Sequence, residues 1–206
     1  MGIKILTILT CLALFRLYQT APAPTENYVN SLELQPGAYI LYWNFTSTDI
    51  LMEVHVKTTG WIGFGLSPNG GMDGADVIIA WIDKNGKGVF TDRHIRGRDV
   101  MIDTVQNWMP LLVTSRDGFV VAKFTRKIKI CDKSGEDMDI PDGTPFVIYA
   151  YGKSFNGEGD IAFHDFRGTK SVQLTSSLNL KIDLDMSEVE AIEYRVNVTL
   201  HLTLLR

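Results

Sequence analysis

The chain has 206 residues, of which 45% are hydrophobic and 21% charged, and its formal net charge is −4. This apolar content is that of a globular protein and excludes intrinsic disorder as the main state. An acidic chain lacks the clustered Lys and Arg that bind phosphate, so a nucleic-acid partner is excluded, and the length fits one large domain with or without an appendage.

The first 20 residues have the pattern of a secretory signal peptide. Lys4 supplies a positive start, residues 5–15 form an apolar run, and small residues follow at Ala21 and Ala23. The alternative is a signal anchor, which the short run and the following Pro22 and Pro24 disfavour. We therefore expect cleavage, a protein that is secreted or stays in the lumen of the secretory pathway, and no stable transmembrane anchor.

Two features of the remaining chain bear on secretion. Asn44 and Asn197 each begin an Asn-x-Thr glycosylation sequon. Of the two cysteines, Cys11 falls in the signal and leaves Cys131 alone. A single cysteine in a secreted domain is buried, free or paired with a partner outside the chain, and the sequence leaves these alternatives open.

The middle of the chain reads as short strands separated by turn residues. Segments rich in β-branched and aromatic residues alternate with Gly, Asn and Asp, which favours strands over helices. Asn85-Gly86 predicts a two-residue hairpin, and Glu53 and His55 alternate with apolar neighbours, which predicts a strand with one wet face. So many strands need a facing sheet, so we expect an all-β, antiparallel β-sandwich. The predicted strands cover residues 38–45, 50–56, 61–66, 76–81, 88–91, 118–124, 146–151 and 171–174.

The end of the chain has a different pattern. Residues 187–190 have the form of a capping box, which predicts a short helix. Residues 195–204 then alternate between apolar and polar side chains, which predicts a further strand.

Four motifs in order resemble a known family. Residues 60–68 (GWIGFGLSP) and 70–83 (GGMDGADVIIAWID) resemble the signature of a DOMON domain. Residues 124–132 (FTRKIKICD) and 163–174 (FHDFRGTKSVQL) resemble the dopamine β-hydroxylase-like, copper type II ascorbate-dependent monooxygenases, of which monooxygenase X is the best match. The resemblance implies an immunoglobulin-like β-sandwich of the DOMON type. It divides the chain into a signal peptide (1–20), a linker (21–31), the DOMON domain (32–175) and a divergent C-terminal tail (176–206).

The resemblance also implies where the chemistry of the family lies. Its hydroxylase activity belongs to two copper domains that follow the DOMON domain and bind copper through paired histidines, a His-x-His pair and a methionine. The histidines of this chain are neither adjacent nor two residues apart: they are His55, His94, His164 and His201. We therefore expect no catalytic residues here, and copper only in full-length relatives. The resemblance also implies that Cys131 matches a family cysteine whose disulfide partner lies far downstream in the full-length enzyme.

This leaves an interaction or regulatory module as the expected function. The expected partner is a second copy of the chain or a full-length monooxygenase chain. The alternative is a copper- and ascorbate-dependent monooxygenase whose catalytic domains lie in a longer isoform, so whether the protein counts as an enzyme stays open.

Acidic residues suggest a cation site. Hard cations such as Ca²⁺ bind several carboxylate and carbonyl oxygens on adjoining loops, and six aspartates crowd into about thirty residues: Asp73, Asp76, Asp83, Asp92, Asp99 and Asp103. The resemblance implies a metal-ion site at Asp76, the Val77 carbonyl, the Arg93 carbonyl and Asn107, where the family has an aspartate in place of Asn107. The alternative is that these acids cap turns and face water.

The sequence is compatible with two further kinds of ligand: a b-type haem and a small molecule that stacks on aromatic side chains. Some DOMON domains bind a b-type haem between a methionine and a histidine, and Met72 and His164 fall in the matching regions, which gives a haem electron carrier as a second alternative. Because these residues also fit loop packing and a structural hydrogen bond, haem is not favoured. Aromatic residues could form a stacking surface for a small ligand, although strand aromatics usually belong to the core: they are Trp43, Trp61, Trp81, Tyr149 and Tyr151.

Overall fold

The computed structural model describes residues 20–153, 155–157 and 160–175, and the regular structure in this part of the chain is all β. The strands are β1 (Asn30–Gln35), β2 (Tyr39–Phe45), β3 (Asp49–Val56), β4 (Trp61–Ser67), β5 (Asp76–Ile82), β6 (Gly88–Arg96), β7 (Asp99–Ile102), β8 (Met109–Arg116), β9 (Phe119–Lys127), β10 (Phe146–Gly152), β11 (Phe155–Gly157), β12 (Asp160–Ile161) and β13 (Phe166–Ser171). Within these residues, no helix has the length and apolar character needed to span a membrane.

The strands form two large antiparallel sheets. One has five strands in the order β1-β2-β3-β9-β8, and the other has six in the order β13-β10-β4-β5-β6-β7. Strands β11 and β12 pair as a separate hairpin. The expected all-β, antiparallel sandwich is therefore confirmed.

Alternation along the strands gives each large sheet an inner face. In β5, Ile78 and Ala80 point into the main core, whereas Ile79 and Trp81 belong to a smaller buried cluster with Trp61. The main core also takes Met52 and Val54 from β3 of the opposite sheet, both fully buried. Burial at about 25 cal/mol per Å² of apolar surface from both sheets drives this packing.

The connection between β5 and β6 is a hairpin, as Asn85-Gly86 predicts, but its turn is one residue longer. The Asp83 amide donates to the Lys87 carbonyl (2.9 Å), so Lys84, Asn85 and Gly86 form the turn. Gly86 has a φ of 78°, the left-handed conformation that closes such a turn.

The predicted wet face of β3 is wrong for two of its residues. Glu53 and His55 are fully buried because the N-terminal segment crosses over them. The backbone amide of Thr25 (3.0 Å) and the hydroxyl of Tyr28 (2.9 Å) both donate to Glu53.

Several strands lie where no strand was predicted. β8 contains Pro110 and is an edge strand, the place in a sheet where proline is tolerated. The last predicted strand, residues 171–174, shares only Ser171 with β13. Polar side chains dominate β13 (FRGTKS) and hide it from a search for apolar runs. The predictions for residues 1–19 and 176–206, Asn197 included, lie outside the described residues.

Candidate metal centre

Asp76 is the first residue of β5 and its carboxylate points inward, fully buried between the sheets. Trp108 Nε1 donates to Asp76 Oδ1 (2.7 Å), and Arg126 donates to Asp76 Oδ2 (2.6 Å). The Met138 amide also donates to Oδ2 (2.9 Å). Arg126 lies on β9 of the other sheet and stacks over the Trp108 ring, 4.5 Å from its centroid. Asp76 is therefore held by donors from three separate segments.

Asp92 on β6 is a second buried carboxylate of the same cluster. Its Oδ2 accepts hydrogen bonds from the amides of Asn107 (2.7 Å) and Trp108 (2.9 Å). Its Oδ1 is buried and has no hydrogen-bond partner among the described residues. Burial is the main cause that raises the pKa of Asp92, the charge of Asp76 adds to it, and the pKa lies at about 8. In the cation-free chain Asp92 is therefore mostly protonated at pH 7, and its ionised form lacks a positively charged partner.

Asp137, in the loop between β9 and β10, completes the cluster. One carboxylate oxygen from each of Asp76, Asp92 and Asp137 lies within 4.8 Å of the others. Asn107 Nδ2 donates to Asp137 Oδ2 (2.6 Å), but Asp137 Oδ1 is buried without a partner in the described part of the chain. Burial first, and the charge of Asp76 next, raise the pKa of Asp137. Carboxylates converging on one point are the donor set that Ca²⁺ prefers.

The structure brings together part of the predicted cation site. Asp76 belongs to the cluster, and Asn107 bridges Asp92 and Asp137. Val77 and Arg93 face each other across β5 and β6, each next in sequence to a carboxylate of the cluster. Sequence reasoning missed Asp137, which lies outside the run of aspartates. It named Asp92 in that run but did not assign it to the site, because the predicted strand 88–91 ends one residue before Asp92, whereas β6 continues through it.

Other acids of the run cap turns, as the alternative predicted. Asp73 Oδ1 accepts a hydrogen bond from the Gly97 amide (2.6 Å). Asp83 Oδ1 accepts from the amides of Asn85 (2.9 Å) and Lys87 (2.8 Å). The aspartates of this run therefore have two different roles: some cap turns, and others belong to the buried carboxylate cluster.

Met72 and His164, which match the haem ligands of some DOMON domains, lie in different surroundings. Met72 is half-buried and packs against Ala75, Val77 and Ile95. His164 is also half-buried, lies against the Phe163 ring (centroids 4.1 Å apart), and its Nε2 has no hydrogen-bond partner within the described ranges. Burial lowers the pKa of His164, so its ring is neutral.

The five aromatic residues considered as a stacking surface for a ligand are mostly buried inside the domain. Four of them are buried, and Tyr151 stacks on Phe166 at an interplanar angle of 20°. The buried four are Trp43, Trp61, Trp81 and Tyr149. The structure thus contradicts an exposed aromatic ligand surface built from these side chains.

Cys131 and Asn44 have contrasting environments. The Cys131 thiol is free and exposed, on a residue with a φ of 56°. Asn44 is half-buried, and its Nδ2 donates to the Asn27 carbonyl (2.9 Å). A glycan on Nδ2 leaves one N–H for that hydrogen bond, and glycosylation of Asn44 stays a prediction.

Comparison with known proteins shows which family the chain resembles. The DOMON domain profile matches residues 35–152. The chain is 34% identical over 130 residues to MOXD1 homolog 2 of Drosophila melanogaster (62% of this chain, 17% of that protein). It is 32% identical over 140 residues to the human DBH-like monooxygenase protein 1 (67% of this chain, 22% of that protein). The matched regions thus span about a quarter or less of these relatives.

Solved structures show the same fold at low sequence identity. The cytochrome b domain of pyranose dehydrogenase from Coprinopsis cinerea matches with a TM-score of 0.50 and 12% identity, over 65% of this chain and 75% of that one. The cytochrome domain of cellobiose dehydrogenase from Myriococcum thermophilum gives 0.50 and 13%, over 72% and 90%. These likenesses show the fold alone. The profile match and the DBH-like relatives confirm the expected family: the chain belongs to the DOMON domain family.

Proposed function

We propose that this chain is the DOMON module of a secretory-pathway protein and acts through interactions, with a hard divalent cation such as Ca²⁺ bound among Asp76, Asp92 and Asp137. The observation that carries the proposal is the pair of unpaired, buried carboxylate oxygens, Asp92 Oδ1 and Asp137 Oδ1, within the described structure. Leaving a charged group buried without a partner costs several kcal/mol, and a cation removes that cost.

The charge balance of the cluster supports the same proposal. Among the residues that the structure describes, the cation that contacts these three carboxylates is the buried guanidinium of Arg126, which is already bonded to Asp76. Ca²⁺ takes six to eight oxygen ligands, and the family resemblance offers the carbonyls of Val77 and Arg93 and the side chain of Asn107 as further ones. Water can supply the remainder.

An exposed apolar surface supports an interaction role. It comes from β7, β8 and the loop between them, and its side chains are each more than half exposed: Ile102, Val105, Met109 and Leu111. β8 is also the edge of the five-stranded sheet, where unpaired backbone groups favour pairing with another chain. The proposed partner is a second copy of this chain or a full-length monooxygenase chain.

Thermal unfolding with and without Ca²⁺ tests the cation site. At a Ca²⁺ concentration about 100 times Kd, binding adds about 2.7 kcal/mol and raises Tm by roughly 5–10 °C. Asp92→Asn removes this shift, whereas the matched control Asp99→Asn, on exposed β7, keeps it. A wild-type chain whose Tm is indifferent to Ca²⁺ and other hard cations contradicts the proposal.

A second candidate function follows from the names of the relatives. The DBH-like proteins are monooxygenases, and this chain matches only a fraction of their length. We infer that the module can belong to a longer monooxygenase isoform, where copper bound by other domains supplies the redox chemistry. Hydroxylation of a phenethylamine by the purified chain with copper and ascorbate would instead assign the activity to these 206 residues.

A third candidate, a b-type haem electron carrier, is favoured by one observation. His164 Nε2 is buried without a partner in the described segments, and burial lowers the pKa of the ring, which favours the unprotonated nitrogen that an axial ligand requires. Met72, however, is packed among apolar side chains. If haem binds, titration with haemin gives a Soret band that His164→Ala and Met72→Leu both abolish. A chain that stays colourless rules this candidate out.

A further inference from the structure

A second group of metal-ligating side chains lies beside the carboxylate cluster. It consists of His94 on β6, Asp103 just after β7 and Glu136 in the loop between β9 and β10, and one donor atom of each lies within 4.8 Å of the others. It shares no residue with the group of Asp76, Asp92 and Asp137. Unlike that group, it contains a nitrogen donor.

Each member is held in place by contacts outside the group. The Asp103 amide donates to the Asp92 carbonyl (3.1 Å), which fixes the backbone of Asp103 against β6. Glu136 accepts hydrogen bonds from the amide (3.0 Å) and hydroxyl (3.1 Å) of Thr104. His94 pairs in register with Asp76 on β5. The three side chains are therefore brought together by the fold rather than by chance on a surface.

The burial of Asp103 is a second indication that this group binds a ligand, independent of the distances between its donor atoms. The residue is 4% exposed, and His94 Nδ1 lies 2.5 Å from its Oδ1. Its Oδ2 is buried and has no hydrogen-bond partner among the residues the structure describes. An ion pair between His94 and Asp103 satisfies Oδ1 alone and leaves Oδ2 without compensation, so the pair by itself does not complete the site.

We propose that His94, Asp103 and Glu136 form a second metal site, which binds a divalent transition metal of the zinc class. One imidazole nitrogen with carboxylate oxygens is a donor set that suits Zn²⁺ and its neighbours, whereas Ca²⁺ prefers oxygen alone. Three protein ligands leave one tetrahedral position for water or for a side chain of a partner. This site does not depend on the proposed calcium site.

Calorimetric titration of the purified full chain with Zn²⁺, in about 1 mM Ca²⁺ to fill a hard-cation site, tests the proposal. We expect one equivalent of Zn²⁺ to bind despite the Ca²⁺. His94→Gln should weaken Zn²⁺ binding at least about 100-fold, since even residues that only orient a ligand contribute 10–100-fold. Bound Co²⁺ in place of Zn²⁺ should give visible absorption bands that His94→Gln shifts or removes.

Further variants keep the result interpretable. Glu136→Gln, on a half-buried side chain, gives the same test if His94→Gln does not fold, and we expect at least about 10-fold weaker Zn²⁺ binding. Asp99→Asn, an exposed acid on the neighbouring strand, should leave Zn²⁺ binding unchanged. Asp92→Asn should abolish the Ca²⁺ response and keep Zn²⁺ binding, which separates failure of one site from failure of the other. A wild-type chain that binds no Zn²⁺, or Zn²⁺ binding unchanged in both ligand variants, overturns the proposal.

Discussion

At the scale of single residues, Asp76 and Arg126 form an ion pair that is costly to break. Both side chains are fully buried, and they come from opposite sheets. Such a pair contributes little net stability compared with apolar residues of the same volume, but removing one partner leaves a buried charge. Asp76 and Arg126 therefore behave as a unit.

Asp76→Asn should lower the free energy of unfolding by about 3–5 kcal/mol, because the Arg126 guanidinium is then buried without its counter-charge. Urea denaturation measures the change. The double variant Asp76→Asn/Arg126→Met should be more stable than Asp76→Asn alone, since it removes the orphaned charge. Simple addition of the two single effects would contradict the idea that they act as a unit.

The pH dependence of stability tests the charge of the carboxylate cluster formed by Asp76, Asp92 and Asp137. The pKa of Asp92 is about 8 in the folded chain against 3.8 for the free group, so the unfolded chain loses this proton first. In cation-free protein, the contribution of Asp92 to the free energy of unfolding is therefore greatest below pH 4 and declines as pH rises from about 4 to about 8. The buried Asp103, with a pKa raised to about 6, acts in the same direction.

Chemical denaturation of the cation-free chain between pH 5 and 8 measures this decline. His164 has a lowered pKa and acts in the opposite direction, so the comparison has to be with a variant rather than with an absolute slope. Asp92→Asn should flatten the decline. An Asp92→Asn chain that follows the wild-type profile would show that Asp92 is already ionised and compensated.

At the scale of elements, residues 25–28 cross over β3 and hold it in place, and we call this segment the latch. Burial raises the pKa of Glu53, but hydrogen bonds from His55, Thr25 and Tyr28 outweigh burial and lower it to about 2. Glu26 adds an ion pair with Lys123 on β9. The latch therefore supplies the donors that allow a carboxylate to be buried on the outer face of the five-stranded sheet.

Deleting the chain through Tyr28 should lower the free energy of unfolding by about 1–3 kcal/mol or more, because Glu53 loses donors while His55 still covers it. A deletion through Pro22, which keeps the Thr25 backbone amide and Tyr28 in place, is the matched control. The wild-type chain should lose stability as pH falls from about 4.5 towards 2, the range in which Glu53 is protonated on unfolding but not in the folded chain. The longer deletion should lose part of that acid sensitivity; equal profiles would rule out the latch.

The strands rich in apolar residues could be predicted from the sequence, whereas an edge strand and a mostly polar strand could not. β4 and β5 are almost wholly buried and read directly as strands. β8 has Pro110 and exposed apolar residues at an edge, and β13 is mostly polar, so neither shows the periodicity of a buried strand. The covered face of Glu53 and His55 was unpredictable, because it depends on a segment about 25 residues earlier in the chain.

The carboxylate cluster was predictable only in part for the same reason. Asp76 was singled out by the DOMON resemblance, but Asp137 lies in a loop that reaches the cluster through long-range contacts. The amide of neighbouring Met138 bonds to Asp76 across 62 residues. Local sequence patterns cannot show which distant loop closes on a strand end.

At the scale of the whole molecule, the exposed surface of β8 is where assembly should occur. If a second copy is the partner, sedimentation should show a concentration-dependent dimer of wild-type chain. Met109→Lys and Leu111→Lys together should abolish it without lowering Tm, because both side chains are more than half exposed. Val29→Lys, at another exposed apolar residue, should leave the dimer intact. A monomer at every concentration would leave the longer monooxygenase chain as the remaining proposed partner.

The long span of the contacts to Asp76 also has a consequence for the order of folding. Arg126 lies 50 residues from Asp76 in the chain and Met138 lies 62. Until both segments arrive, the Asp76 carboxylate is stabilised by water, and dehydrating it early is unfavourable. We therefore expect the hairpin of β5 and β6 to form before this end of the sandwich closes, because closure requires the expulsion of water from around one aspartate.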